Sequence, residues 1–518
     1  MARKPLGSFG MEMECLVASR PAAAAPVNIP DRFRNSPGRP VLVPEDEEDI
    51  FAIQAHIRTT IRAAVEGHVG DRVVSLDQNI EQDPDLWHLR NYRDWVVDRD
   101  YSVEMPNDIR KEPHVARYNW LDIEIKSPAL WATEKSFAEV HRVLSAVAQT
   151  YMMFAPPSAG LHVHIGRGAD YIPADHLRRI GAFLYAADPI LAEMHPEHRR
   201  AWHIYYQSNR NYSVLAHGIS KESVGTYIHR EDVEVEPDTP GHRPDPEVES
   251  RRDLERPDFE CLFRRGDLQG YVLNHDGFRS TDHPYMVREG QPRLPGAQVL
   301  RPIDIPVAAR ELFSTVNAPT VSLLMQARTF HNMAYNFTGY DAIRYKKMVL
   351  TPDGLPSKLY QQKRTIEFRQ PAGTVDPDEI LAHIKICLRL IDYASTTPLD
   401  DIWKLILDLT QAEVHGDWYD VFDLLSELDL LEEAQVIQKQ MAKDRGVDIP
   451  EDASITIIRQ ASSRRPLSRL LSLIPVRWPH RQRGPRHRPS TWVTVANSLT
   501  PGMTSEMASQ GIPWFLIM

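Results

Sequence analysis

Five short segments of this chain alternate apolar and ionisable residues with a period of two, and that alternation governs what it can fold into. In GMEMECLV, Glu12 and Glu14 fall on one side of an extended backbone, with Met11, Met13 and Cys15 on the other. Successive strand side chains point to opposite faces, and residues i and i+2 lie about 7 Å apart on one of them. GLHVHIG likewise sets His162 and His164 against Leu161, Val163 and Ile165. In WLDIEIKSP, Asp122, Glu124 and Lys126 oppose Leu121, Ile123 and Ile125, and in TIEFR, Glu367 and Arg369 oppose Ile366 and Phe368. WVVDRDYSVE sets Asp98, Asp100 and Ser102 against Val97, Tyr101 and Val103. Taken singly, each reads equally well as a solvated sheet face. Together they specify an antiparallel sheet with one packed face and one open face.

The rest of the chain makes this an α+β protein. Helices are expected from Pro44 through EDEEDIFAIQAHIRTTIRAAVEG, from Thr133 with Phe137, Val140, Leu144, Val147 and Tyr151 on one side, over 174–187 ending at Asp188-Pro189, from Asp376 to Ser395, and over 418–443. Strands are expected over 9–17, 93–104, 119–126, 160–166 and 364–370. Ten prolines and many charges in 231–310 predict a long insertion with little regular structure. Residues 1–400 read as one catalytic domain containing that insertion, 401–450 as a helical extension, and 451–518 as a disordered basic tail. The stretch 453–518 holds nine arginines, no lysine and one acid, Glu506.

Composition narrows the function classes. With 42% hydrophobic and 25% charged residues, the chain is ordinary globular material, neither collagen-like nor coiled coil. A net charge of −11 argues against a dedicated nucleic-acid binder. Three scattered cysteines suit a reducing compartment. No apolar run is long enough to span a membrane, and the opening MARKPLGSFGMEMECLV lacks the apolar core of a secretory signal, so a cytoplasmic location is expected.

An open face crowded with carboxylates repels itself. Divalent cations relieve that most simply, and carboxylate oxygens favour Mg²⁺ or Mn²⁺ over softer metals. An arginine among acids suits a phosphoryl or carboxylate group, which it grips in bidentate fashion. No G-x-x-x-x-G-K-[ST] loop is present, so a bound nucleotide would lie on the sheet.

In order, FGMEME, WVVDRDYSV, IEIKSP, GLHVHIG and TIEFRQPAGTVD resemble the motifs of the amidoligase family. That family belongs to the carboxylate–amine ligase superfamily, with glutamine synthetase and glutamate–cysteine ligase. The matching stretch runs from about residue 9 to 395; 231–310 has no counterpart in it. The resemblance implies a curved antiparallel sheet with helices on one face, like the glutamine synthetase catalytic domain, its other face forming the site floor. It implies ATP and two or more Mg²⁺ or Mn²⁺ ions, and a small-molecule or peptide carboxylate joined to an amine. It implies that Glu12, Glu14, Glu124, His162 and Glu367 hold the metal ions, with Glu367 sharing one with Glu12 and His162, and Glu124 serving the ion of Glu14. His164 and Arg369 would contact phosphate, Asp100 and Ser102 would face substrate, and Asn209, Arg210 and Tyr212 resemble a segment that binds the substrate carboxylate. Two other readings of the same residues stand beside it. One is a zinc hydrolase using His-x-His and the carboxylates; the other is a guanidino kinase-like phosphotransferase.

Overall fold

A 14-residue strand, β1 (Ser8–Pro21), is the spine of the molecule. Its odd-numbered residues from Phe9 to Val17 are buried and nearly all apolar, so it needs cover on that face along its whole length. In the computed structural model, which describes residues 7–24, 38–45, 48–75, 78, 84–200, 202–203, 206–221, 224, 302–326, 333–340, 363–414 and 419–446, that cover is helical. The expected tail lies outside these residues, as does most of the expected insertion. Of the two compact units, Met1–Leu470 and Leu471–Met518, the second falls wholly outside them.

In chain order the further elements are β2 (Val41–Val43), α1 (Asp49–Val65), β3 (Val96–Asp98), the one-turn α2 (Asn107–Arg110), β4 (Asn119–Lys126), β5 (Leu130–Trp131), α3 (Glu134–Thr150), β6 (Met153–Phe154), β7 (Leu161–Gly166) and α4 (Ala174–Leu191). They continue with β8 (Trp202–His203), β9 (Tyr206–Gln207), the one-turn α5 (Asn209–Tyr212), α6 (Ile305–Phe313), α7 (Ala318–Met325), β10 (Tyr335–Asn336), β11 (Thr365–Phe368), α8 (Pro377–Thr396), α9 (Leu399–Val414), α10 (Val421–Glu427) and α11 (Leu431–Asp444). The main sheet runs β10-β11-β7-β1-β4-β3, each neighbour antiparallel, and it is open at both ends. The short β2 adds to β1 in parallel.

Helices α1, α3, α4 and α8 contribute to one continuous apolar core with the odd-numbered residues of β1. Thr133 caps α3 by accepting from Ser136 N–H, and the Asp376 carboxylate caps α8. Among the described residues no helix is long and apolar enough to cross a membrane.

Several expectations are corrected. The strand expected over 93–104 ends at Asp98, because Asp100 accepts from Ser102 N–H and turns the chain. Tyr101 is 77% exposed, and Val103 joins a second apolar cluster. Helix α1 starts at Asp49, not at Pro44. Helix α4 runs through Pro189; nine consecutive buried residues, Ile180 to Asp188, with Ile190 and Leu191 beyond the proline, show how deeply it is packed, which outweighs one lost backbone bond. The helix expected over 418–443 is two helices, parted at Asp429, whose φ of 57° is left-handed. Within 231–310, residues 305–310 open α6, which buries Ile305, Ala308 and Ala309.

Candidate functional site

Register brings the ionisable residues together. On β1, Glu12 pairs with His162 of β7 on one side and Lys126 of β4 on the other, and Glu14 pairs with Glu124. His164 pairs with Glu367 of β11, which in turn pairs with Asn336 of β10. Because side chains alternate, all of these project from the face opposite the helical core.

The resulting cluster is tight. His162 Nδ1 is 3.4 Å from Glu12 Oε2 and 3.8 Å from Glu367 Oε1, while its Nε2 is 3.4 Å from Glu14 Oε1. His164 Nε2 lies 3.3 Å from Glu12 Oε1 and 3.8 Å from Glu367 Oε1. Two triads offer ligand atoms mutually within 4.8 Å: Glu12, His162 and Glu367, and Glu14, Glu124 and His162. His162 belongs to both, using one ring nitrogen toward each side.

The expected open face is in fact largely covered. Glu12, Glu14, Glu124, His162 and His164 are all buried. Beyond Glu14, the same face of β1 carries Leu16 and Ala18, and these pack under Val103, Met105, Ile109, Val115 and Tyr118. The segment that follows β3 is thus a roof over half the sheet. At the other end, the 3₁₀ helix Pro84–Tyr92 and Lys363 border a cleft that reaches Glu12 and His164.

Basic groups divide the cluster into two electrostatic halves. Lys363 Nζ donates to Glu12 Oε1 and lies 3.0 Å from His164 Nε2. An Arg369 guanidinium N–H donates to Glu367 Oε1 at 2.5 Å, and the Asn336 amide donates to Glu367 Oε2 at 2.8 Å. Burial would raise both carboxyls, yet the neighbouring charges win. Lys363 and His164 hold Glu12 well below the usual carboxylate range, and Arg369, with the two histidines and Lys363, brings Glu367 down to about 2. The other half lacks that compensation. Burial and the Asp100 charge push Glu14 up to about 8, although Gly160 N–H donates to it at 2.7 Å. Burial and the Glu12 charge push Glu124 up to about 7, against the pull of Lys126 at 2.7 Å. Burial, then Arg369, lowers His162 and favours its neutral, ligand-competent form.

Each expected site residue can now be placed. Glu12, Glu14, Glu124, His162, His164, Glu367 and Arg369 converge on one cluster. Asp100 sits in the turn after β3 and acts on Glu14 and Glu124 through its charge; Ser102 spends its backbone N–H closing that turn. Asp122 leaves the cluster for a bidentate pair with Arg99. Asn209, Arg210 and Tyr212 do not join it. Asn209 is fully used by the backbones of Met325 and Tyr335, and Arg210 is taken by Glu413, Tyr185 and the Ile303 carbonyl. These side chains brace the helices.

Three functional candidates were missed. Lys363 continues the alternation of Glu367 and Arg369 back through Thr365, a signal present in the sequence. Asn336 comes from a two-residue strand with no motif around it. Arg199, 1% exposed, donates to the Ser158 and Ala159 carbonyls and so fixes the loop whose Gly160 N–H reaches Glu14.

Residues 48–228 match the profile of a family described as "Putative amidoligase enzyme". That match supports the amidoligase resemblance read from the motifs. It spans α1 through β7 and α4, and thereby Glu124, His162 and His164; Glu12, Glu14, Glu367 and Arg369 lie outside it. No curated protein matches the chain.

Proposed function

We propose that this protein is an ATP- and Mg²⁺-dependent carboxylate–amine ligase, forming an amide or isopeptide bond through an acyl phosphate. The observation that carries the reading is the pair of triads sharing His162. Four carboxylates and one imidazole, which can serve either triad, form a hard, oxygen-rich donor set that fits Mg²⁺ or Mn²⁺. The amidoligase profile over 48–228 favours the same chemistry. The zinc hydrolase has less support, since each triad has one imidazole and two carboxylates; no observation singles out the guanidino kinase.

A carboxylate is a poor electrophile, and phosphorylation by ATP makes it a competent one. Phosphoryl transfer depends on positioning and on neutralising oxygen charge, which the bound cations would supply. Glu12, His162 and Glu367 would hold one cation and Glu14 and Glu124 the other, because a neutral imidazole has one free lone pair and can ligate only one ion. Arg369 places a guanidinium over Glu367 while its Nε has no partner among the described residues, so it can still donate toward a phosphoryl or carboxylate oxygen. The burial of Glu12, Glu14, Glu124, His162 and His164 limits water access to the cluster, which would protect an acyl phosphate from hydrolysis. Gly160 and Arg199 keep Glu14 aimed at the ion site.

The test is ADP release in Mg²⁺ or Mn²⁺ across a panel of carboxylates, with and without amines. Ligation predicts ADP only when a carboxylate and an amine are both present. Glu12→Gln and Glu367→Gln should each abolish that turnover with little change in the circular dichroism spectrum. Wild-type-like turnover in either variant, or hydrolysis of amides without ATP, would sink the proposal.

A further inference from the structure

We propose that Lys363 is an exchangeable counter-cation: it neutralises Glu12 until a divalent ion displaces it, and it then serves a phosphate group in the adjoining cleft. The inference deepens the ligase reading and rests on it for the presence of the ion. Lys363 Nζ takes Glu12 Oε1 and sits 3.0 Å from His164 Nε2. Glu12 is one of the three donors of the first triad. An ammonium and a divalent ion at one carboxylate repel each other strongly when water is largely excluded, so one must leave.

The lysine is the one able to move. Its side chain is 28% exposed against 10% for Glu12, on a flexible four-carbon stem. It stands 5.2 Å from the Tyr92 ring centroid, on the border of the cleft that reaches Glu12 and His164. Among the described lining residues Glu12 is the one carboxylate, against Lys126, Lys363 and Arg364. A ligand entering there meets positive charge nearest the triad, as a phosphate-bearing molecule requires. Lys126 differs, because it lies 3.5 Å from Asp98 as well as 2.7 Å from Glu124 and keeps a partner if Glu124 turns to an ion.

The test is calorimetric titration of the full chain with Mn²⁺ alone, and then with a non-hydrolysable ATP analogue at saturating Mn²⁺. Lys363→Met should bind Mn²⁺ about tenfold more tightly than wild type and the analogue about tenfold more weakly. Lys404→Met, which alters an exposed lysine paired with Asp401, should match wild type in both titrations. Unchanged or weaker Mn²⁺ binding in Lys363→Met overturns the exchange, and unchanged analogue affinity overturns the phosphate role. Failure of wild type to bind Mn²⁺ overturns the cation reading itself, so the two failures are distinct. A second measurement needs no variant. Acetic anhydride labelling of Lys363, read by peptide mass spectrometry, should rise when Mn²⁺ is added and fall again with the analogue. Labelling indifferent to Mn²⁺ overturns the proposal.

Discussion

Glu12 and Glu14 stand two residues apart on one strand, yet their surroundings drive their carboxyls in opposite directions. The difference is the company each keeps. Glu12 has a lysine and two histidines, whereas Glu14 has the Gly160 N–H and one ring nitrogen of His162, no lysine, and faces further acids. An acid raised from 4.5 to about 8 contributes stability below its unfolded value that is lost as pH climbs toward the folded one. At pH 7 the folded state therefore holds Glu14 largely protonated where the unfolded chain would ionise it, which opposes folding by up to about 3 kcal/mol. Glu14→Gln keeps an acceptor for Gly160 N–H and removes the cost of that protonation. It should raise the metal-free melting temperature at pH 7 by a few degrees while weakening Mn²⁺ binding at least tenfold, both readable by calorimetry. Gly160 offers a complementary probe. A Cβ at that position would lie 2.9 Å from His162 Nε2 and 3.4 Å from Glu14 Oε2. Gly160→Ala should thus push the His162 ring aside and lower Mn²⁺ affinity by about tenfold or more. Full affinity in that variant would show that the ring has room to spare.

At the scale of elements, legibility in the sequence followed regular periodicity. β4 was readable to its ends, Asn119 and Lys126, because eight residues alternate without interruption. The α3 and α8 starts were readable from Thr133 and Asp376, whose side chains cap the helices. What failed was local chemistry that competes with the period. Asp100 ends β3 early by capturing Ser102 N–H, and Pro189 does not stop α4 because the helix is packed too deeply to break there. Helices α6 and α7 have no counterpart in the sequence reading, and α9 is contained in it only as part of the helical extension over 401–450; α7 announces itself only through Asn317, which accepts from Thr320 N–H, and a proline in its first turn. The cluster was legible because parity on a strand is a hard rule, whereas Arg199 and Asn336 depend on tertiary placement that no spacing encodes. Asp429 carries a further element-scale prediction. Its left-handed φ of 57° between α10 and α11 suits glycine better. Asp429→Gly should stabilise the protein by up to about 1 kcal/mol in urea unfolding, offset in part by loss of a 3.5 Å contact with Arg389.

At the scale of the whole molecule, the helical layer contains its own titrating device. His195 and His383 stack at 5.6 Å, fully buried, joining the end of α4 to α8, and His383 Nε2 lies 3.2 Å from Gln440 Oε1 of α11. Burial pushes His383 down to about 4; burial, then the charge of His383, lowers His195 further below its ordinary value. Both rings are therefore neutral in the folded state. The unfolded chain takes up their protons near pH 6.5 and the folded one only at lower pH, for His383 near pH 4, so stability is full above about 6.5 and declines as pH falls. For His383 the loss approaches about 3 kcal/mol by pH 4. Melting temperature followed from pH 7 to pH 4 should fall accordingly, and His383→Gln should flatten the curve. An unchanged slope in that variant would assign the acid sensitivity to the carboxylates instead.

Lys363 meets Glu12 across 351 positions of sequence, and β11 closes against β7 only after more than two-thirds of the chain has been made. A ribosome that has delivered β1, β4 and β7 has therefore made a sheet still missing the strand that carries Glu367 and Arg369. The nascent polypeptide then has Glu12, Glu14, Glu124, His162 and His164 but lacks Lys363, Glu367 and Arg369. Competence arrives late and all at once, and a truncated product ending before residue 363 should be inert however well its remaining strands pair.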